Sequence, residues 1–336
     1  MKVGIVLAAA LGSMIAASFP SPSRSQQSSA NELAASFPAR SVQVVVPFAA
    51  GGSSDVVVRL LAQTVSKNWN QPVVIDNRVG ATGAIAGEFV LRQPADGYTL
   101  LNAAPTSHTA LRALRRDLPY DPTADLTPVT LLVVAPMMLV VNPNKVPAQT
   151  VRELIEYLKK NPGKLSYAST GTGSVAHLSM ELFKILTGTE LVHVPYRGNA
   201  PALTDLLAGN VDLTIDVSSS VASHLKSGVL RSLGVTTAKR TSFDPDMPTV
   251  AETVPGFEAF SWNGIVVRSG TPPSIVEKIS REFSSAVQQA QAKEALARIL
   301  MEPVGSSPGE FLELIKADAA RWDRVVKALN LNPGQR

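Results

Sequence analysis

Along most of this chain a short β-branched run empties into Gly, Ser, Thr or Pro and is followed at once by a helical stripe. That recurring unit constrains the fold more than any other feature. Residues 42–46 read as a buried strand, 47–54 as a small-residue loop, and 55–68 as a helix with Val57, Leu60, Leu61 and Val65 on one face. The unit returns at 73–75, with a loop at 80–83 and a helix around 85–92. It returns again at 98–101, after which Pro105, Thr106, Ser107 and His108 open a third helix. Past a surface helix at 151–160, with Thr150 as its cap, strands at 165–168 and 191–194 again precede loops and helices, and a strand at 213–215 runs into Asp216 and the serines 218–220. Such alternation predicts an α/β fold of mostly parallel sheets flanked by helices. At 336 residues the chain is too long for one ordinary core and divides into two lobes.

The apolar stretch 131–141 is too short to span a bilayer and contains Pro136, so it reads as buried strand leading from one lobe to the next. After Trp262 the pattern predicts one more strand, 265–267, and helices over 274–290, 293–301 and 308–329. If these terminal helices return to the first lobe, two strands cross between lobes, a geometry that permits hinge closure. The first lobe is then 38–138 plus 258–336, and the second 139–257. At the start of the chain, Lys2 precedes an apolar run (3–17) and a Ser/Pro/Gln-rich run (18–30). Residues 1–30 have the outline of a cleaved export signal and a flexible N-terminus, with Ala17 and Ala30 both acceptable cut sites.

Composition removes several function classes. There is no cysteine, hence no disulfide, thiolate metal site or Cys nucleophile. The 31 basic and 27 acidic residues are scattered, with no basic run longer than two, unlike the stripe of a nucleic-acid binder. The four histidines, His108, His177, His193 and His224, lack H-x-x-x-H spacing, so no metal site is expected. No P-loop occurs. The run Gly171-Thr172-Gly173-Ser174-Val175-Ala176 matches G-x-G-x-x-A, but the next strand ends at Val194-Pro195 rather than in an acid, so no dinucleotide and no other cofactor is expected. No G-x-S-x-G elbow is present, and a hydrolase built on a Ser with His108 or His177 is a distant alternative.

What remains is an anion site without a charged cradle. In open α/β sheets ligands sit at the carboxyl ends of strands, over helix starts whose N–H groups are unpaired and partly positive. Glycine lets the backbone approach, and Ser or Thr adds a hydroxyl. A hydrogen bond to a charged group contributes about 1.5–3 kcal/mol. Four or five therefore give roughly 6–15 kcal/mol before ordering costs, against the ~8 kcal/mol that micromolar binding requires. Asp55 would repel a bound carboxylate, so it is expected to cap its helix or fix the Gly51-Gly52 turn. Arg197 is open to two readings, an ionic clamp for a second carboxylate or a solvent-facing loop charge.

The run Pro47-Phe48-Ala49-Ala50-Gly51-Gly52-Ser53-Ser54-Asp55 resembles the signature loop of the Bug family, the extracytoplasmic receptors of tripartite tricarboxylate transporters. Tyr167 to Ser174 with His177-Leu178, the run His193 to Ala202, Met247 to Glu252, and Trp262-Asn263-Gly264 are similar to the family in the same order. The likeness runs from about Phe37 to Leu329, and Ala49-Ala50 departs from it where a proline is usual. It implies a two-lobed periplasmic binding protein, a Venus flytrap, that is not an enzyme. Such a protein acts as a monomer, captures a small organic acid and hands it to membrane permease subunits. A sensor docking on a membrane signalling protein is the alternative. The implied first-lobe contacts are Phe48, Gly51, Gly52, Ser53 and Asp55, with Gly83, Thr106 and Ser107 nearby. In the second lobe they are Ser169, Thr170, Gly173, His177, Tyr196, Gly198, Asn199, Ala200 and Asp216.

Overall fold

A computed structural model describes residues 36–115 and 117–329. The export signal expected at 1–30 lies outside the described residues. Two sheets share one long strand. In the first, β1 (Val42–Val46), β2 (Val73–Asn77) and β3 (Thr99–Ala103) are parallel, with Val46 opposite Asn77 and Val45 opposite Leu101. In the second, β5 (Ser166–Ser169), β6 (Val192–Pro195) and β7 (Leu213–Val217) are parallel. The shared strand, β4 (Leu126–Val141), pairs first with β9 (Phe260–Arg268) and β10 (Glu302–Pro303), then with β7 and β8 (Arg231–Val235). All of these β4 pairings, and that of β9 with β3, are antiparallel.

Parallel pairing thus belongs to the three strands of each sheet that follow the strand–loop–helix unit, and each sheet as a whole is mixed. The register gives the reason. Ala103, the end of β3, lies opposite Gly264, which lies opposite Leu131 on β4, so β3 runs the same way as β4. Val217, the end of β7, lies opposite Met137, and β7 runs against β4. The carboxyl ends of the two parallel sets therefore point toward each other across one crossing. A strand shared by both sets has to be antiparallel to one of them.

Pro136 marks the crossing. It is the last residue of β4 opposite β9, and Met137 is the first opposite β7. A proline has no N–H to offer a ladder, so it fits where the strand changes partners. Its carbonyl accepts from Ser218 Oγ at 2.9 Å. The second passage between the sheets is braced beside it: the Met137 carbonyl accepts the Thr236 N–H at 2.9 Å and Thr236 Oγ1 at 3.0 Å, and the Ala259 N–H donates to the Thr236 carbonyl.

Helices cover both faces of each sheet, as period-two alternation in the strands requires. On β1, Val42, Val44 and Val46 pack with Val57, Val58, Leu61 and Val65 of the Ser53–Trp69 helix and with Ile279 and Phe283 of the Pro273–Gln288 helix. Val45 points the other way, into a core with Trp262, Phe311 and Ile315. The second sheet is likewise covered by Val175–Thr187 on one face and Asn199–Ala208 on the other. The last helix, Pro308–Ala328, serves two cores: Phe311 and Ile315 enter the first sheet's, while Trp322, Val325 and Val326 pack with Leu178 and Phe183 of the second. The Ser218–Lys226 helix and β8, which lie where the sequence pattern is weak, were not expected. Among the described residues no helix is long and apolar enough to cross a membrane.

Candidate functional site

The loop after β1 is held by its own helix. Asp55 is almost fully buried and accepts the Gly51 N–H at 2.9 Å, Arg59 Nε at 2.9 Å and Asn77 Nδ2 at 2.9 Å. Asn77 Nδ2 also reaches the Phe48 carbonyl at 3.0 Å. The Arg59 guanidinium, helped by Gly51 and Asn77, holds the Asp55 carboxyl down to about 2 against the effect of burial. Asp55 therefore fastens the Gly51-Gly52 turn, one of the two roles expected of it. Gly51 has a φ of +79°, where a side chain would be strained.

This fastening leaves the helix start open. Gly52 is the N-cap and no side chain caps the helix. Val56 already donates to the Gly52 carbonyl, and the N–H groups of Ser53, Ser54 and Asp55 precede the first helical bond. Three other helix starts are closed: Thr150, Ser174 and Ser307 each accept an N–H from the first turn of the helix they precede. Gly83 and Ser107 come from the loops after β2 and β3 and meet beneath Pro47. A Cβ on Gly83 would lie 2.4 Å from that of Ser107 and 3.3 Å from that of Pro47, so only glycine fits. Thr106 is half-buried beside them. His108 does not join the set. It is buried edge-on to Trp262, neither ring nitrogen has a partner, and burial pushes it down to about 4.

In the second sheet the loop after β5 is held by two histidines. His177 Nδ1 accepts the Gly173 N–H at 3.1 Å, which assigns the ring proton to Nε2. Its ring stacks on His193 with centroids 4.1 Å apart, and His193 Nε2 lies 2.6 Å from Ser169 Oγ. Burial, and then the neighbouring His193 and Lys184, push His177 down to about 3, so it is neutral and able to accept. The Tyr196 N–H donates to the Ser169 carbonyl at 3.0 Å, which brings the two loops together, and the Tyr196 hydroxyl is tied to Asp205 at 2.6 Å. Thr170 is half-buried on the first of these loops.

The third element is the Asn199–Asp216 pair. Asn199 Nδ2 donates to both Asp216 oxygens at 2.9 and 2.7 Å and lies 3.0 Å from Ser220 Oγ. Gly198 is an N-cap without a side-chain bond, so the N–H groups of Asn199 and Ala200 are uncapped like those at Ser53. Burial pushes Asp216 up to about 6, although the Val217 N–H and Asn199 pull it down. Gly173 abuts Leu114 of the Thr109–Leu114 helix, so the two sets of loops approach closely there.

Sequence reasoning omitted Asn77, Arg59 and His193 as supports. Asn77 ends β2, two residues beyond the strand expected at 73–75. Arg59 lies one turn after Asp55. His193 opens the run 193–202 that resembles the family, but its role as a support depends on Ser169, which comes from another strand. A groove of about 760 Å³ around Met138, Leu225, Phe243 and Met247 contains none of the candidate residues. Among the described residues no group of three or more His, Asp or Glu could hold a metal ion.

The sequence and the fold are similar to those of known proteins. Residues 57–331 match the model of the tripartite tricarboxylate transporter family receptor. The protein BugT of Bordetella pertussis is 37% identical over 293 residues, 87% of this chain and 90% of that one. Rpa4515 of R. palustris, solved with adipate, superposes with a TM-score of 0.74 at 40% identity, covering 87% of this chain and 97% of that one. MatC of Rhodopseudomonas palustris, solved with bound malate, gives 0.72 at 33% identity, covering 86% and 100%. The chain belongs to the tripartite tricarboxylate transporter receptor family, the Bug receptors, and has their periplasmic-binding-protein fold.

Proposed function

We propose that this protein is a periplasmic receptor that captures a small organic carboxylate and delivers it to the membrane permease subunits of a tripartite transporter. The observation that carries the reading is the pair of uncapped helix starts, at Ser53–Asp55 and at Asn199–Ala200, on strand ends that face each other across one crossing. A carboxylate seated there gains several backbone hydrogen bonds and two favourable helix dipoles without a buried cation. Phe48, Gly51, Gly52, Ser53, Gly83, Thr106 and Ser107 form one wall. Ser169, Thr170, Gly173, Tyr196, Gly198, Asn199 and Ala200 form the other, with Asp55, His177 and Asp216 behind them. Arg197, exposed and without an ion pair among the described residues, is offered to a second carboxylate. The diacids adipate and malate, bound by relatives, support that class. The lobes, 38–138 with 258–336 and 139–257, close about the Pro136–Met137 and Thr236–Ala259 crossings. The receptor acts as an exported monomer, without catalysis and without nucleic acid.

The test is thermal denaturation of ligand-stripped protein against a panel of mono-, di- and tricarboxylates. A ligand present at a hundred times its Kd adds about 2.7 kcal/mol to stability. At least one acid should therefore raise the Tm by several degrees. If no acid does so while sugars or metal ions do, the reading is wrong.

A further inference from the structure

Asp318 sits in the middle of the Pro308–Ala328 helix, only 1% exposed, and gathers groups from three other parts of the chain. Its Oδ2 accepts Thr109 Oγ1 at 2.6 Å and Trp262 Nε1 at 3.1 Å, and its Oδ1 accepts Arg321 Nη1 at 2.9 Å. The same guanidinium donates through Nη2 to Glu258, which precedes Ala259 at the second crossing between the sheets. Burial pushes the Asp318 carboxyl up, although Thr109, Arg321 and Trp262 pull it down. A buried charge of this kind costs the fold, and an apolar side chain of similar volume often costs less. Thr109, fully buried, opens the Thr109–Leu114 helix two residues after Ser107. That helix belongs to both sheets. Its start follows the 105–107 loop of the first sheet, which carries Thr106 and Ser107. Beyond the start, Ala110, Ala113 and Leu114 pack into the second sheet's core with Leu178, Phe183 and Trp322. Leu114 meets the loop after β5: a Cβ on Gly173 would lie 2.7 Å from Leu114 Cδ1, and the Gly173 N–H is the one held by His177. Six residues of helix span about 9 Å. One short rod thus touches a loop of each wall, and Asp318 anchors it.

We infer that Asp318 is a positioning residue for ligand capture: through Thr109 it sets where the Thr109–Leu114 helix stands, and that helix sets the spacing of the two loops that meet the ligand. The inference rests on the carboxylate reading above and deepens it. Asp318, sealed in the core, touches no ligand itself. It pins the rod at the first-sheet end, and Leu114 sets how near the 169–174 loop comes at the other. Through Arg321 and Glu258 the same carboxylate is tied to the Thr236–Ala259 crossing, about which the lobes close. Close-packed interiors transmit strain, so a small shift of the rod is felt at both walls and at the crossing. A loosened anchor therefore lowers affinity by misplacing donors rather than by removing a contact, and it costs most for a ligand whose two ends reach both walls.

The experiment is calorimetric titration of wild-type, Thr109→Val and Thr109→Ser protein. The ligands are the acid that gives the largest Tm shift in the denaturation panel and its homologues one methylene shorter and one longer. Thr109→Val keeps the side-chain shape and removes the hydroxyl. It should weaken the best-bound acid by about tenfold or more and narrow the spread of affinities among the three, because the wall spacing is no longer fixed. Thr109→Ser restores the hydroxyl and should recover affinity to within about threefold. Asp318→Asn, which keeps an acceptor for Thr109 and loses the charge opposite Arg321, should weaken the same acid as Thr109→Val does, and it carries the comparison if the valine variant does not fold. Affinity within threefold of wild type in these variants, whatever happens to the Tm, overturns the inference and leaves the carboxylate reading intact. Equal losses in the valine and serine variants also overturn it, because the hydroxyl is then not what holds the helix. So does a loss that leaves the ratios among the three acids unchanged, which is the mark of a general loosening of the fold. Failure of every acid in the panel to bind wild type overturns the carboxylate reading and this inference together.

Discussion

Asp55 follows β1 of the first sheet and Asp216 lies on β7 of the second, each beside a loop of the candidate site, and both are buried. Their environments push them in opposite directions. Asp55 has a cation, a backbone N–H and an amide, and is held ionised, down to about 2. Asp216 has only the Asn199 amide and the Val217 N–H, and burial pushes it up to about 6. The difference teaches what each acid is for. Asp55 is a clamp whose charge is used: it pins the Gly51 turn from behind, and its negative charge is spent on Arg59 before a ligand carboxylate arrives. Asp216 orients Asn199 at the other helix start, and its charge is a cost to the fold.

The largest expected effect is at Asp55. Asp55→Ala frees Gly51, Asn77 and Arg59 at once and should destabilise the protein by about 2–3 kcal/mol, measured by urea denaturation, because each loses a charge-assisted bond. Asp216→Asn removes a disfavoured charge and should leave stability at pH 7 equal or higher. Equal losses in the two variants would break the comparison. Next is Gly52→Val. The Gly52 φ of −69° suits any residue, and an added Cβ meets only the Ala49 carbonyl, at 3.1 Å. Folding should survive, while affinity for the acid found in the denaturation panel falls more than tenfold as the side chain crowds the helix start. Retained affinity would remove that loop from the site.

The smallest effect is in pH. A depressed acid stabilises the fold above its unfolded value and loses that contribution as pH falls, so the contribution of Asp55 fades between about 3.8 and 2. A raised acid does the reverse: Asp216 favours the fold when protonated, and its contribution is lost as pH rises from 3.8 through about 6. Tm measured at pH 4, 5 and 6 should therefore fall less steeply in Asp216→Asn than in wild type. Parallel profiles would show that Asp216 titrates normally.

The strand–loop–helix units were legible because they are local. The strand β1 occupies the predicted 42–46, the helix after it begins in the Gly/Ser loop, and Thr150 caps its helix. The crossing was legible too, since an apolar run interrupted by Pro136 cannot be an ordinary central strand. Asn77, Arg59 and the His177–His193 stack were not. Their roles depend on which strands lie side by side, and strand pairing brings together residues far apart in sequence.

Residue order alone set the character of the loops: small, hydroxylated, uncharged segments ahead of helices, which read either as tight turns or as a backbone site for an anion. The tertiary structure decided which loops face each other and which N–H groups remain uncapped. Helical and strand periodicity is written into neighbouring residues. The direction of one strand relative to another is set by what each must bury, and that is known only once the whole chain has folded.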